Sequence, residues 1–252
     1  MQLRQMTHLH TQQGVFILTL ARGKVNALNE EMVDHLWERF QTLRDDRECR
    51  AVVFTGQGSF FSFGLDVPEL YDYPPEAFSR FLTKFTGLYA TLFEFPKPVV
   101  AAINGHAIAG GCMLATACDY RVMATGKAKI SLNEVTFGSS LFAGSIEMLK
   151  YVAGQRNAET IALSGRMYSG EEARALGLVD ELADGETLAA RALAVAREMA
   201  GRAAAYAAIK TILRGPVAER IRQLEADSIR RFVDIWYSPS TREQTKKIQI
   251  RS

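Results

Sequence analysis

Two glycine-bearing corners are the first places where this chain could do chemistry. Asn104–Tyr120, "NGHAIAGGCMLATACDY", follows the apolar run "KPVVAAI" and turns through Gly110-Gly111 before a helix-like segment. A strand that passes through glycines into a helix leaves backbone N–H groups free at the helix start, where the peptide dipoles favour negative charge. For one Gly-Gly pair alone the plainer reading is a tight turn, in which glycine serves positive φ or close packing. A second corner shifts the balance: "AVVFTG" leads through "GSFFSFGLDVPEL" to Gly64-Leu65-Asp66, which opens another helix. Two such corners can converge their amides on one oxygen, which is how an oxyanion hole for an acyl carbonyl is built.

Other chemistries fit the residues less well. Ser139 and Ser140 follow Gly138, but no Gly-x-Ser-x-Gly elbow occurs, and none of the four histidines has an obvious acidic orienter. His106 lies near the glycine corner and reads as a loop or core residue before it reads as a catalyst; His8 and His10 are too isolated to argue for a metal. Asp66 reads as a helix cap and Asp119 as the residue that fixes a strand start. "GQGSFF" lacks the third glycine of a dinucleotide fingerprint, and "TGKAKI" lacks the Ser or Thr of a phosphate loop. Cys49, Cys112 and Cys118 are an odd number with no Cys-x-x-Cys pair, so neither a disulfide framework nor a zinc site is expected, only reduced buried thiols.

A formal charge of +2, with Lys and Arg dispersed until "TREQTKKIQIRS", gives no footprint for nucleic acid. No apolar run approaches the ~18 residues of a membrane span. The first acidic residue is Glu30, a feature of some transit peptides, but "GVFILTLAR" has the β-branched look of a strand and is assigned to the fold. A soluble, cytoplasmic protein is expected.

The elements that must hold these corners alternate. With 48% hydrophobic and 23% charged residues over 252 positions, the chain can bury a large core. "VFILTL", "AVVFTG", "PVVAAI" and "YRVMA" read as strands; "NEEMVDHLWERFQTL" reads as a helix capped by Asn29 with Glu30 and Glu31 at its positive end. In "EAFSRFLTKFTGLYATLFEF", Phe78, Phe81, Leu82, Phe85, Leu88, Tyr89 and Leu92 recur at helical spacing and are read as core rather than as a ligand cage. This alternation indicates an α/β fold. After "ISLNE" nearly everything reads as helix, apart from "LVDEL" behind a helix stopped by Gly177. Two domains are expected: residues 1–200 as the core with the site, and 201–252 as two or three amphipathic helices forming an oligomerisation surface.

"FSFGLDV", "KPVVAAINGHAIAGGCML", "CDYRVMA", "ISLNEVTFG" and "EEARALGLVDEL" occur in the order and rough spacing of the crotonase, or enoyl-CoA hydratase/isomerase, superfamily, which the chain resembles over nearly its whole length. The resemblance implies a crotonase-like ββα superhelix assembled as trimers or paired trimers (hexamers), with the final helices contributing to assembly. It implies that the amides of Leu65 and Gly110 polarise the thioester carbonyl of an acyl-CoA. It also implies that "RGKVNALN" lines the coenzyme A path, with Lys24, Val25 and Ala27 on one side and Ser62 and Leu65 approaching the adenine from the other. Lys24 reads equally as a solvated surface charge.

In hydratases of this superfamily, two glutamates hold a water, and the resemblance maps the first position to Met113 and the second to Glu134. One carboxylate facing a thioether is poorly suited to managing that water, yet it can still take an α-proton and return it to the γ-carbon. The pattern is therefore most similar to the mitochondrial-type Δ3,Δ2-enoyl-CoA isomerase branch, with Glu134 as the base and no metal or redox cofactor, coenzyme A being part of the substrate. The competing reading of Glu134 is a helix-capping surface acid. Glu147 is a secondary carboxylate candidate for which a surface position is favoured. "FGSSLFAGSIEML" departs from the superfamily's usual Pro-Gly-rich loop. Hydration, thioester hydrolysis, decarboxylation and a non-catalytic acyl-CoA-binding role are the alternatives.

Overall fold

The computed structural model describes residues 6–248 and 250. In chain order it contains β1 (Thr7–Gln12), β2 (Val15–Leu20), α1 (Glu30–Asp45), β3 (Ala51–Gly56), β4 (Phe60–Ser62), α2 (Val67–Leu70), α3 (Pro75–Phe93), β5 (Val99–Ile103), β6 (His106–Ile108), α4 (Gly110–Ala117), β7 (Tyr120–Ala124) and β8 (Ile130–Ser131). A 3₁₀ turn (Glu134–Phe137) is followed by α5 (Ala143–Ala153), α6 (Gln155–Ser164), α7 (Gly170–Ala175), β9 (Glu181–Ala183), α8 (Leu188–Ala200), α9 (Ala203–Trp236) and α10 (Pro239–Thr245).

Three successive turns share one plan: a strand in a large sheet, a short strand in a small sheet, then a helix. The large sheet runs β1-β2-β3-β5-β7-β9 and the small one β4-β6-β8. Apart from the antiparallel β1–β2 hairpin, every pairing is parallel. This is the expected ββα superhelix. The central strands are continuous apolar runs because both faces of the large sheet are covered: α8 lies on one, through Leu188, Ala192, Val195 and Ala196, and the main core on the other. The aromatic stripe of α3 is fully buried in that core, as its spacing predicts. Asn29 caps α1 by accepting from Met32 N at 3.0 Å. The three cysteines are free and buried, and burial pushes their thiols up, to about 11 at Cys49 and about 12 at Cys112 and Cys118, so they stay protonated.

The carboxy-terminal region differs from the expected set of amphipathic helices on a separate appendage. One helix, α9, runs 34 residues with Pro216 inside it, followed by the short α10. The expected boundary near Gly201 falls between α8 and α9, but Ile221, Ile229, Phe232 and Trp236 of α9 belong to the same buried core as α3 and α5. Polar ties fix the helix there: Glu225 accepts from Gly144 N at 2.7 Å and from the Tyr89 hydroxyl. At the start of α9, the expected role of Asp119 is found and extended. Its Oδ2 accepts from Val99 N and from Lys210 Nζ, both at 2.7 Å, and its Oδ1 pairs with Arg214 at 3.0 Å. Arg214 also donates to the carbonyls of Phe93, Ala117 and Cys118, and burial holds Lys210 down to about 8 against the Asp119 charge. Only the outer face of this end of α9 remains uncovered, with Ile209, Ile212 and Leu213 exposed.

Removing one member of a buried ion cluster leaves the rest uncompensated. Asp119→Ala is expected to lower the urea unfolding free energy by ~3–5 kcal/mol, and a loss below ~1 kcal/mol would show that the cluster does not hold α9.

Candidate active site

Because β4 and β6 are parallel neighbours, their ends lie side by side, and each runs directly into a helix: β4 into α2 through Gly64-Leu65-Asp66, β6 into α4 through Ala109-Gly110. The main chains touch. A Cβ at Gly64 would lie 2.7 Å from Gly110 N and 2.8 Å from Ile108 O, and the residue has φ +92°, so glycine is required there twice over. The amides of Leu65 and Gly110 donate to no acceptor among the described residues. Ala109, just before the second amide, has φ 50° and ψ −118°, a conformation that costs a non-glycine residue ~1–3 kcal/mol. Its ψ orients the Ala109–Gly110 peptide and therefore the Gly110 N–H. Two unpaired amides on touching backbones are what an oxyanion hole requires.

The same geometry recurs one turn further along the superhelix. β8 pairs with β6, and the chain beyond it enters the 3₁₀ turn at Glu134. Leu65, Gly110, Met113 and Glu134 all line one cavity of ≈170 Å³. The rest of its wall is nearly all apolar, with Asn133 beside Glu134 as the other polar side chain. Glu134 is 5% exposed, and its Oε2 has no hydrogen-bond partner among the described residues. Burial raises its carboxyl from the usual 4.5 to about 8, an effect only partly offset by a backbone hydrogen bond. The reading of Glu134 as a surface cap is therefore excluded. A carboxyl raised in this way by burial, inside a cavity, is a candidate general base.

The sequence pattern of the enoyl-CoA hydratase/isomerase family matches residues 10–246. The chain belongs to that family. It is 33% identical over 184 residues to mitochondrial enoyl-CoA delta isomerase 1 of Mus musculus, a match spanning 72% of this chain and 64% of that protein. It is 31% identical over 196 residues to mitochondrial enoyl-CoA hydratase of Pongo abelii, spanning 77% and 67%. The crystal structure of human mitochondrial delta3-delta2-enoyl-CoA isomerase superposes with a TM-score of 0.91 at 28% identity, over 96% of both chains. Isomerases and hydratases both stand among these relatives, so the reaction of this family member has to be argued from its cavity.

Other residues singled out in the sequence fall into place around that cavity. Lys24, Val25 and Ala27 line a second, larger cleft of ≈760 Å³ together with Arg22, Asp66 and Glu69. The two concavities share a backbone wall: Leu28 bridges Leu65, donating to Gly64 O at 2.8 Å and accepting from Asp66 N at 3.0 Å. Asp66 caps α2 as expected and also pairs with Arg22 at 2.6 Å. Ser62 needs correction. It is fully buried, its Oγ donating to Asn26 O at 2.7 Å and accepting from Gly64 N at 3.1 Å, so it holds the corner and meets no ligand surface. His106 packs its ring beside Phe60 at 5.0 Å and does not line the cavity. Glu147 pairs with Lys150 at 2.9 Å away from the cavity.

Several contributors were missed in the sequence. Asn26, fully buried at φ 50°, donates to the carbonyls of Gln57, Phe60 and Phe61 and so ties the "RGKVNALN" loop to the first corner. Asparagine between apolar residues, a type that tolerates the left-handed region, was the available signal. Phe85, read as core, is core and cavity wall together; Phe137 and Phe142 of the "FGSSLFAG" region, and Phe232, Trp236 and Ile248 from the carboxy-terminal region, complete the enclosure. Gly64→Ala must push the two corners apart. It is expected to lower kcat on the enzyme's enoyl-CoA substrate by about 100-fold or more with the circular dichroism spectrum unchanged, and a drop under about threefold would mean that the two amides do not act together.

Proposed function

We propose that this family member is an enoyl-CoA isomerase, moving a double bond from the 3- to the 2-position of an acyl-CoA thioester. The observation that carries the reading is the composition of the cavity wall: Glu134 is its one carboxylate among the described residues, and the other side chain expected near the reacting carbons is the thioether of Met113. Water addition works best with two acids to hold and deprotonate the nucleophile. Moving a proton between two carbons of one substrate needs a single base within reach of both.

In this reading the thioester oxygen accepts from the amides of Leu65 and Gly110. The ionised Glu134 removes a proton from C2, the C2–H pair forms the C1–C2 double bond of an enolate, and the negative charge rests on the oxygen. Each donor contributes ~3–4 kcal/mol to holding that charge. Glu134 then delivers the proton to C4, where the pair of the 3,4 double bond forms the new C–H bond, while the 1,2 pair of the enolate shifts to 2,3 and the carbonyl re-forms. The apolar walls keep water from competing for the enolate and keep the carboxyl basic. No metal or redox group takes part, and coenzyme A enters as part of the substrate, with the cleft at Lys24, Val25 and Ala27 as its path beside Leu65.

Assembly into trimers or paired trimers is part of the same proposal, supported by the uncovered apolar row Ile209, Ile212 and Leu213 on α9. Light scattering at micromolar concentration should find a trimer or hexamer, with Ile212→Glu shifting it towards monomer; a wild-type monomer would end this part of the reading.

A panel of cis- and trans-3-enoyl-CoAs, monitored for conjugated product beside a hydration assay on trans-2-enoyl-CoA, tests the reaction itself. Glu134→Gln should slow isomerisation by ~100- to 10,000-fold while acyl-CoA binding persists. Because burial raises the Glu134 pKa and the carboxylate is the active form, kcat/KM should rise with pH through about 8. Turnover of the variant within a few-fold of wild type would assign the base elsewhere.

A further inference from the structure

One stretch of chain joins the buried acid to part of the wall around it. The 3₁₀ turn at Glu134 and the start of α5 are the two ends of the "FGSSLFAG" loop, and Phe142, the last residue before α5, lines the cavity together with Glu134. At the first end, Ser139 N donates to Glu134 O at 3.0 Å. At the second, α5 has no side-chain cap of its own. A helix start leaves amides that need acceptors, and here α9 supplies them. Ala143 N donates to Ser228 Oγ at 3.0 Å, and Gly144 N to Glu225 Oε2 at 2.7 Å. The other oxygen of Glu225 accepts from the Tyr89 hydroxyl, and Ser228 Oγ donates to Oε2 at 3.3 Å. Gly144 leaves room for this arrangement, because a Cβ there would lie 2.6 Å from the Tyr89 ring. No cation balances Glu225: burial raises its carboxyl, and only the hydrogen bonds from Tyr89, Gly144 and Ser228 oppose that shift. Two turns further along α9, on the same face of the helix, Phe232 stacks on Phe142 at 4.5 Å and 27°. One face of α9 therefore grips both the backbone at the start of α5 and the ring just ahead of it.

We propose that Glu225 is a positioning residue for the reaction: with Ser228 it caps α5 from α9, and that cap keeps Phe142 on the wall that shuts water away from Glu134. This rests on the reading of Glu134 as the base and deepens it. Without an acceptor, the Gly144 amide must turn towards water, and the residue next to the freed turn is Phe142. Displacing that ring lets water reach Glu134, whose raised carboxyl owes its position to burial and to no neighbouring charge. An apolar pair in place of Tyr89 and Glu225 would join the same helices but leave the α5 amide bare, whereas a carboxylate also suits the positive end of that helix.

Profiles of kcat/KM against pH on a 3-enoyl-CoA, with thermal unfolding measured beside them, test this on the full chain. The wild type should rise through about 8. Glu225→Gln keeps the shape, but its amide nitrogen cannot accept, so either Gly144 or Tyr89 loses its partner. With water at Glu134 the midpoint should fall by about one unit, and the weaker base should lower kcat about tenfold with KM within about twofold. Because that variant also removes a charge, Ser228→Ala is its control: it changes no charge, frees the Ala143 amide and should move the midpoint the same way by about half a unit. The titratable neighbour of Glu134 is the Cys112 thiol, pushed up to about 12 by burial and so protonated across the range, and no other charged side chain lines the cavity among the described residues. If Glu225→Gln does not fold, Ser228→Ala decides. Lost thermal stability with an unmoved midpoint, or a shift in Glu225→Gln with none in Ser228→Ala, overturns the proposal and leaves Glu134 in its role. A wild-type profile that is flat through about 8 removes Glu134 as the base and takes this inference with it.

Discussion

Where Gly64 meets Gly110, two main chains approach so closely that a methyl group at Gly64 would overlap the other chain. The rest of the site depends on that contact. It brings the amides of Leu65 and Gly110 to one place although 45 residues separate them, and it does so through the parallel pairing of β4 with β6 rather than through any side chain. The ties around it serve the same end. Ser62 and Asn26 clamp the first corner from behind, and Asn104 accepts from Gly56 N and donates to Gly58 O just upstream. Unpaired amides, the strained backbone of Ala109 and a buried acid are each unfavourable alone, and they persist because the packed core around them over-determines the geometry.

The third strand of the small sheet extends the logic from binding to chemistry. Each turn of the superhelix delivers one contribution at the same level: a donor after β4, a donor after β6, and the Glu134 carboxyl after β8. The cavity is then closed by elements from outside the repeat. α9 starts at the buried Asp119 cluster, is held midway by Glu225, and ends with Phe232 and Trp236 on the cavity wall. A helix fixed at three places along its length sets the depth of the cavity as firmly as the sheet sets its chemistry.

Much of this was legible in the sequence because it rests on local rules. The central strands of the large sheet, β2, β3, β5 and β7, are largely apolar runs, α1 announces itself with Asn29, and α3 with its aromatic period. The corners were legible too, since glycine pairs between a strand and a helix have few uses. What stayed hidden depends on tertiary contact. β4, β6 and β8 are two or three residues long and carry no periodicity to detect, yet they decide which corners meet. β1 escaped notice because "THLHTQ" is polar on the exposed edge of the sheet. The amphipathic carboxy-terminal segment was visible, but the surface its apolar face covers was not: a stripe at helical spacing looks the same whether it lies on a neighbouring subunit or on its own α3 and α5. Ser62 illustrates the same limit, since exposure and orientation in a glycine loop follow from partners such as Asn26 that are distant in sequence.

That the two groups proposed as oxyanion donors are main-chain amides has a consequence for how this protein can change. No substitution removes a peptide N–H except proline, so these two amides are shielded from most single-codon changes as long as the two corners keep their glycines. The cavity walls, by contrast, are built from side chains, among them Glu134, Met113, the phenylalanines and Trp236. Mutational drift therefore acts unevenly on the two layers. In the proposed mechanism, the apparatus for stabilising an enolate is hard to lose, whereas what is done with the enolate can be rewritten one wall residue at a time, without refolding the scaffold that makes it.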